Sequence, residues 1–221
     1  MNVEQTIQFL RSNGLTYCGR AGKLEAVHRL ASQVEADAVP GLFLEAGVAM
    51  GGSACVIAKT KGPERELRLY DVFEMLPSPS ENDDPKSHQT YQYFLSGNVQ
   101  GAVDQNYVSH AKDLLSFTRH NMQRVGIDPD NEKIAFVKGL YEDTLKIDEA
   151  VAFAHIDCDW YDSVVICIER LSDRISPKGV MLFDDYNSFS GCRRAVDGWL
   201  GQDSRFKIVH ADWTVAVQRI A

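Results

Sequence analysis

The chain has 221 residues, 44% of them hydrophobic, and a formal net charge of −8 from 23 basic and 31 acidic side chains. This size fits one domain with a substantial apolar core, and an acidic balance without a long basic run argues against a nucleic-acid partner. Because the apolar runs are too short to span a membrane and the N-terminus lacks the pattern of a secretory signal, we expect a cytoplasmic protein without a membrane partner.

Short apolar runs alternate with longer amphipathic stretches, which is the pattern of βαβ units around a mostly parallel sheet. Residues 1–221 are expected to form one domain, with an N-terminal helical segment over residues 1–40. Strands are predicted at Leu42–Ala46, Leu67–Val72, Ile134–Lys138, Val151–Ile156, Val180–Phe183, Phe206–His210 and Thr214–Arg219. Helices are predicted at Val3–Ser12, Lys23–Ala36, Ser53–Ala58, Ala111–Val125, Tyr161–Arg174 and Gly191–Leu200.

The last two predicted strands are separated only by Ala211–Trp213. A connection this short joins antiparallel strands but cannot make a parallel crossover. We therefore predict an α/β fold with a doubly wound, seven-stranded, mostly parallel sheet and a C-terminal antiparallel hairpin. Such a terminal hairpin is unusual for a dehydrogenase and typical of a class I, Rossmann-like methyltransferase.

The segment from about residue 74 to 110 contains the turn-rich run PSPSENDDPKSHQ. A connection of this length in a compact domain is usually functional or disordered. We interpret it as a lid over the substrate, with some helix around Tyr91–Leu95. A mobile surface insertion is the alternative.

The run LFLEAGVAMGGSA follows the first strand with Glu45 at its end and with Gly47, Gly51 and Gly52 opening a helix. Glycines allow close approach of a ligand, and a helix N-terminus offers free N–H groups. The GxxxGG spacing differs from the GxGxxG of dinucleotide sites. An ordinary tight turn between strand and helix is the alternative.

Asp71 ends the second strand in LRLYDVFEMLP. An acidic residue at this place typically accepts hydrogen bonds from ribose hydroxyls, although an ordinary strand-end or helix-capping aspartate would look the same. Together with the glycine turn it indicates a cofactor that contains a nucleoside. Gly139 to Glu142, in FVKGLYEDTL, would then lie near the adenine ring or form a plain loop.

Two acidic pairs close two further strands, Asp157 and Asp159 in HIDCDWYDS and Asp184 and Asp185 in MLFDDYNS. Strand alternation would place Asp157 and Asp159 on one side. Four carboxylates at adjacent strand ends are costly without a cation, and hard oxygen ligands suit Mg²⁺, Mn²⁺ or Ca²⁺. The alternative is helix capping with salt bridges to Lys178, Arg193 or Arg194.

His155 lies inside the strand before Asp157 and is expected to be a core histidine, with a catalytic role as the lesser alternative. The five cysteines are scattered and contain no CxxC pair, so the sequence predicts neither a disulfide framework nor a zinc site.

With these motifs in view, the chain resembles the macrocin O-methyltransferase family. The resemblance runs over GKLEAVHRLASQVEADAVPGLFLEAGVAMGGSA, LYDVFEMLP, HNMQRVGIDPDNEKIAFVKGLYEDTL, HIDCDWYDS and FDDYNSFSGCRRAVDGWL. These are class I enzymes that use S-adenosylmethionine (SAM) to methylate sugar hydroxyls on natural products. The arrangement is also similar to that of catechol O-methyltransferase, whose acidic residues on the same two strand ends hold Mg²⁺.

The resemblance implies a magnesium-dependent (or manganese-dependent) O-methyltransferase that acts on a small-molecule hydroxyl, such as a sugar diol or a catechol-like pair. It assigns Asp159 as the general base, although some relatives use a histidine. The implied metal ligands are Asp157, Asp184 and Asp185. The implied SAM-binding residues are Tyr17, Glu45, Gly47, Ser53, Asp71, Gly139, Tyr141 and Asp157.

Two rival classes remain beside this interpretation. One is another nucleotide-binding α/β protein, such as a nicotinamide reductase. The other is a SAM-fold metal protein from a hydroxylase-related branch. The sequence does not identify the acceptor. It also leaves the oligomeric state open, and a homo-oligomer is one of the possibilities.

Overall fold

The computed structural model describes residues 1–19 and 22–220. Its strands are β1 Leu42–Ala46, β2 Leu67–Asp71, β3 Ile134–Lys138, β4 Val151–Ile156, β5 Ile175–Phe183, β6 Phe206–Ala211 and β7 Val215–Arg219. Its helices are α1 Val3–Ser12, α2 Lys23–Ala36, α3 Gly52–Thr60, α4 Pro85–Ser96, α5 Ala102–His110, α6 Leu114–Arg124, α7 Tyr141–Thr144, α8 Tyr161–Leu171 and α9 Ser190–Leu200. Among the described residues, no helix is long and apolar enough to cross a membrane.

The seven strands form one sheet in the order β3-β2-β1-β4-β5-β7-β6. The first five strands pair in parallel, and β7 is antiparallel to both β5 and β6. The sheet therefore confirms the predicted doubly wound fold with its C-terminal hairpin. The strand order reverses between β1 and β4, which is where open α/β sheets bind their ligands.

The sheet is buried on both faces by separate apolar clusters. One cluster packs α1, α2, α3 and α6 against side chains such as Phe43 and Phe153. The other packs α8 and α9 against the alternate positions of the same strands, such as Leu44 and Ala154. Because successive strand residues point to opposite faces, near-continuous apolar runs are what a strand covered on both sides requires.

Most predicted boundaries agree with the structure, and the differences have local causes. β5 begins at Ile175, before the predicted Val180, because Val151 pairs with Ile175 and the register then shifts at a bulge. α8 ends at Leu171, three residues before the predicted end at Arg174. The one-turn helix α7 is not among the predicted helices.

Residues 74–110 contain two helices, α4 and α5, where the sequence predicted only some helix around Tyr91–Leu95. Asp84 starts α4 because its side chain accepts the N–H of Ser87 and Pro85 occupies the first turn, where a missing N–H costs nothing. Gly97, with a φ of 66°, ends it in the left-handed conformation.

Candidate functional site

A cavity of about 490 Å³ opens at the carboxyl ends of β1 and β4. This volume lies in the range of small-molecule sites. Of the side chains predicted to bind cofactor or metal or to act as the base, the cavity brings together Tyr17, Gly47, Asp71, Tyr141, Asp157, Asp159, Asp184 and Asp185.

The glycine turn that follows β1 lies against the end of β4. Gly47 has a φ of 91°, and a Cβ there would overlap the backbone carbonyl of Asp157. Gly52 begins α3, and a Cβ there would meet the side chain of Thr16. Both positions require glycine because backbone segments approach closely, whether or not a ligand is bound.

The carboxylate of Asp71 is held by backbone N–H groups. Its Oδ2 accepts from Val48 at 2.7 Å and from Ala49 at 2.8 Å, and its Oδ1 accepts from Phe73 at 2.7 Å. Burial raises the pKa of Asp71, and these hydrogen bonds oppose that rise. Asp71 thus ties the glycine turn to the end of β2 while it faces the cavity.

Two tyrosines line the cavity on either side of this turn. Tyr17 makes edge-to-face contacts with Phe94 and Tyr107 from the 74–110 segment, at 6.1 and 5.8 Å between ring centroids. Burial, followed by the charge of Asp104, raises the pKa of Tyr17, which keeps its hydroxyl protonated. Tyr141 begins α7 and is half-buried in the cavity wall.

The acidic cluster is assembled from the ends of β4 and β5 and from the N-terminal segment. The Lys23 ammonium forms a buried ion pair with Asp184 Oδ2 and donates to the Asp184 backbone carbonyl at 3.2 Å. The Cys18 Sγ lies 3.7 Å from both Asp157 Oδ2 and Asp184 Oδ1. His155 Nε2 lies 3.6 Å from Asp184 Oδ1.

Asp159 lines the cavity from a turn that follows β4, and not from the strand itself. β4 ends at Ile156, and Asp159 has a φ of 59° in the following turn. Its backbone N–H donates to Asp185 Oδ2 at 3.1 Å. Asp157 and Asp159 line the same cavity, as predicted, but strand alternation is not the cause, because β4 ends before both residues and Asp159 has a left-handed backbone.

Burial, followed by neighbouring like charges, raises the pKa of three of the four cluster carboxyls. Burial, together with the charges of Asp184 and Asp185, raises the pKa of Asp157 well above its usual range. Burial and the same two neighbours also raise the pKa of Asp159. The pKa of Asp185 is raised by burial and then by Asp184. A bound cation would favour the ionised form of all three.

Asp184 differs because its counter-charges are already present. Burial opposes ionisation, but His155 and Lys23 lower the pKa of Asp184 below its usual value. Although burial favours a neutral ring, the carboxylates of Asp184 and Glu45 raise the pKa of His155 to about 10. The structure therefore pairs Asp184 with a lysine far away in sequence, and not with Lys178, Arg193 or Arg194.

Three predicted cofactor residues, Glu45, Ser53 and Gly139, do not line the cavity. Glu45 is fully buried, and its Oε1 lies 2.8 Å from His155 Nδ1. Ser53 lies in the first turn of α3 and favours ionisation of Glu45. Gly139 follows β3 with a φ of 145°, and a Cβ there would meet Thr144 of α7.

Sequence reasoning missed Cys18 and Lys23 as members of the cluster. They lie 139 and more residues from the aspartates that they contact. Lys23 is only 6% exposed at the start of a helix, where a cation opposes the helix dipole. That unfavourable placement is the one signal in the sequence that could have indicated a specific partner for Lys23.

The donor set of Asp157, Asp184 and Asp185 fits the metal that the resemblance implies. Carboxylate oxygens are the ligands that Mg²⁺ and Mn²⁺ prefer. The raised pKa values of Asp157 and Asp185 mark a repulsion that a divalent cation would relieve. The ammonium of Lys23 supplies one positive charge to the same cluster.

Residues 74–110 line part of the cavity and are attached to the two helices beside it. Asp83 Oδ1 accepts the Tyr161 N–H at the start of α8 at 2.9 Å. Asp84 Oδ2 accepts the Ser190 hydroxyl at the start of α9 at 2.5 Å. The segment is thus anchored to the two helices that follow the acidic strand ends.

The sequence of this chain matches a known protein family. The sequence model of the macrocin-O-methyltransferase (TylF) family matches residues 10–219. The 8-demethyl-8-(2,3-dimethoxy-alpha-L-rhamnosyl)-tetracenomycin-C 4'-O-methyltransferase of Streptomyces olivaceus is 27% identical over 186 residues, covering 81% of this chain and 66% of that protein. The chain spans 60–70% of the length of the curated relatives it matches.

Solved structures share the fold along the whole chain. The O-methyltransferase NovP matches with a TM-score of 0.76 at 20% identity, covering 99% of this chain and 98% of that one. An O-methyltransferase from Bacillus cereus in complex with SAH matches with a TM-score of 0.60 at 14% identity, covering 99% and 90%. With nearly all of its residues matched by the family's sequence model, the chain belongs to the macrocin-O-methyltransferase family.

Proposed function

We propose that this protein is a SAM-dependent O-methyltransferase that methylates a hydroxyl of a sugar or another natural-product-like small molecule. The observation that carries the proposal is the convergence of Asp71 and the glycine turn with Asp157, Asp159, Asp184 and Asp185 on one cavity. That cavity lies at the point where the strand order reverses. Family membership supports the same chemistry.

The cofactor would occupy the side of the cavity formed by the ends of β1 and β2. Gly47 lets the turn pack against the backbone of Asp157 there, Asp71 would accept from the ribose hydroxyls, and Tyr17 and Tyr141 form the walls. Glu45, Ser53 and Gly139 would act from behind this surface by fixing the turns that carry it. Asp157 would lie between the cofactor and the acceptor.

A divalent cation, Mg²⁺ or Mn²⁺, would be held by Asp157, Asp184 and Asp185. When bound, it would supply Lewis acidity that lowers the pKa of an acceptor hydroxyl. A sugar diol or a catechol-like pair of oxygens fits such a centre. The rhamnosyl group named in the substrate of the Streptomyces relative favours the sugar.

Asp159 would accept the proton of the acceptor hydroxyl. Its raised pKa makes it a stronger base than an exposed aspartate once it is ionised. Its backbone bond to Asp185 fixes the turn that presents the carboxyl to the cavity. The segment 74–110 would act as the lid that excludes water and positions the acceptor.

The first test is calorimetry with SAM, S-adenosylhomocysteine and NADH, each with and without Mg²⁺. We expect both sulfur ligands to bind and NADH to show no saturable binding. Turnover with a panel of sugar diols and catechols, followed as S-adenosylhomocysteine release, should stop in EDTA and return with Mg²⁺. Binding of NADH in place of SAM would refute the methyltransferase, and full turnover in EDTA would refute the metal alone.

A further inference from the structure

We propose that Cys18, His155, Asp157 and Asp184 form a second kind of metal site, which binds a borderline-soft divalent cation such as Zn²⁺ with the Cys18 thiolate as a ligand. One donor atom from each residue, the Cys18 Sγ, a ring nitrogen of His155 and one carboxylate oxygen from each aspartate, lies within 4.8 Å of the others. The inference does not depend on methyl transfer. It also differs from the all-oxygen centre proposed above, because a thiolate and an imidazole replace Asp185.

Three of the six distances between donor atoms are close to the edges of a tetrahedral ion, and the other three lie within 4.8 Å. Zinc bonds of about 2.3 Å to sulfur and about 2.0 Å to oxygen or nitrogen give a sulfur–oxygen edge of about 3.5 Å and a nitrogen–oxygen edge of about 3.3 Å. The Cys18 Sγ lies 3.7 Å from both Asp157 Oδ2 and Asp184 Oδ1. His155 Nε2 lies 3.6 Å from Asp184 Oδ1. These three edges need to shorten by only a few tenths of an ångström, and the donor atoms on the other edges, which are at most 4.8 Å long, would move closer as the ion binds.

His155 provides an independent indication of a ligand at this place. Its side chain is fully buried, and its Nε2 has no hydrogen-bond partner within 3.5 Å among the residues the structure describes. A buried polar atom without a partner is costly. Asp184 Oδ1 lies 3.6 Å away, a distance at which the two groups attract each other but do not form a hydrogen bond, so a metal that replaces the proton on Nε2 would satisfy both atoms.

Glu45 holds His155 in the orientation that metal ligation requires. The His155 Nδ1 lies 2.8 Å from Glu45 Oε1, with both side chains fully buried. A carboxylate that accepts from one ring nitrogen directs the lone pair of the other toward a metal, and this pairing is general among metal-binding histidines. The structure thus contains the supporting residue as well as the ligand.

Charge and access are also consistent with occupation by zinc. The three anionic ligands, a thiolate and two carboxylates, face a divalent cation and the ammonium of Lys23, and Glu45 is neutralised in part by its hydrogen bond with His155. Lys23 bonds Asp184 Oδ2, so Oδ1 stays directed at Cys18 and His155. Asp157 and Asp184 line the cavity, which gives the ion an entry route.

Thiolate and imidazole ligands favour zinc-like ions, and carboxylates alone favour magnesium. The two sites share Asp157 and Asp184, so occupation of one excludes occupation of the other. Zinc bound through Cys18 would therefore hold the N-terminal segment on the cluster and compete with a magnesium-dependent reaction there.

The test uses Co²⁺ as a spectroscopic substitute for zinc in the full chain, after treatment with a chelator and a reductant. We expect one ion per chain, visible bands of four-coordinate intensity and a near-ultraviolet band for charge transfer from sulfur to cobalt. Zn²⁺ should displace the cobalt. In Cys18→Ala the sulfur band should vanish and zinc affinity should fall at least tenfold, whereas Cys55→Ala, a matched buried cysteine in α3, should retain both.

Three results would overturn the site: no cobalt binding, a spectrum without the sulfur band, or a sulfur band that persists in Cys18→Ala. If Cys18→Ala does not fold, zinc absorption spectroscopy on the wild-type protein decides, because the proposal requires one sulfur at about 2.3 Å. Glu45→Gln should weaken zinc binding by about 10- to 100-fold without removing the sulfur band. Binding of S-adenosylhomocysteine, measured on the same samples, tests the proposed cofactor site independently of the zinc site.

Discussion

Two buried aspartates in one cavity, Asp71 and Asp184, are stabilised in different ways. Asp71 accepts three backbone N–H groups from the turns that follow β1 and β2. Asp184 depends on side chains, the ammonium of Lys23 and the ring of His155. One carboxylate is supported by the fold itself, and the other by charges brought from distant parts of the chain.

The difference teaches how the two sides of the cavity would respond to ligands and cations. Backbone donors are fixed once the sheet has formed, so the Asp71 side is preorganised and independent of bound ions. The Asp184 side contains further carboxyls with raised pKa values, so its charge state changes with any cation that enters. We therefore expect variants on the Asp71 side to change binding and variants on the acidic side to change chemistry.

The largest effect is expected for Asp159→Asn, which keeps the shape of the side chain and removes its basicity. A general base typically contributes about 10²- to 10⁴-fold, so kcat should fall by about that factor. Asparagine also tolerates the left-handed backbone that Asp159 adopts. Steady-state kinetics with a responsive acceptor, together with calorimetry of S-adenosylhomocysteine, measures both quantities.

Asp162→Asn is the matched control, because Asp162 also lines the cavity but lies outside the acidic cluster. The kcat of Asp162→Asn should change by less than about tenfold. A lost general base would lower kcat by about 10²-fold or more, so the two outcomes are distinguishable. If Asp159→Asn retains kcat, or loses cofactor binding instead, then Asp159 is not the base. His155 and the histidines of the lid would then be tested next.

The second largest effect is expected on stability, for Lys23→Met. This variant tests whether the acidic side of the cavity needs the ammonium of Lys23. Lys23→Met removes the ammonium and leaves the buried Asp184 with His155 as its remaining counter-charge. Breaking a buried ion pair costs about 3–5 kcal/mol. We expect a loss of that size in the free energy of unfolding, measured by urea denaturation in the presence of a chelator.

Lys61→Met is the control for this change. Lys61 is 8% exposed, and burial lowers its pKa, so its charge is not favoured by its surroundings. Because burial disfavours the charge that Lys61→Met removes, we do not expect this change to lower the free energy of unfolding as Lys23→Met does. Equal losses in Lys23→Met and Lys61→Met would show that the ion pair with Asp184 contributes nothing specific.

The same contrast explains how far the sequence could predict the structure. β1, β3 and β4 were predicted to the residue, because near-continuous apolar runs between turn residues leave few alternatives. The strand ends then placed Asp71, Asp157 and Asp184 near one another, since the carboxyl ends of parallel strands share an edge.

The remainder depended on contacts that no local pattern encodes. Cys18 and Lys23 reach the cluster only through the path of the N-terminal segment, and Glu45 was assigned to the cofactor although its Oε1 lies beside His155. The helices of residues 74–110 are polar on most positions, so their apolar periodicity is weak. Tertiary contacts therefore decided what short-range patterns left open.

The smallest of the three effects is expected on the preorganised side, for Asp71→Ala. This change removes the carboxylate that would accept from the ribose and leaves the N–H groups of Val48, Ala49 and Phe73 without it. A lost buried hydrogen bond costs about 1–3 kcal/mol, so affinity for S-adenosylhomocysteine should fall tenfold or more by calorimetry. Because the glycine turn also loses its hydrogen bonds to Asp71, the free energy of unfolding without ligand should fall by a similar amount. If the variant is less stable but binds S-adenosylhomocysteine as tightly as the wild type, Asp71 does not belong to the cofactor site. Its role would then be structural, through its hydrogen bonds to the backbone.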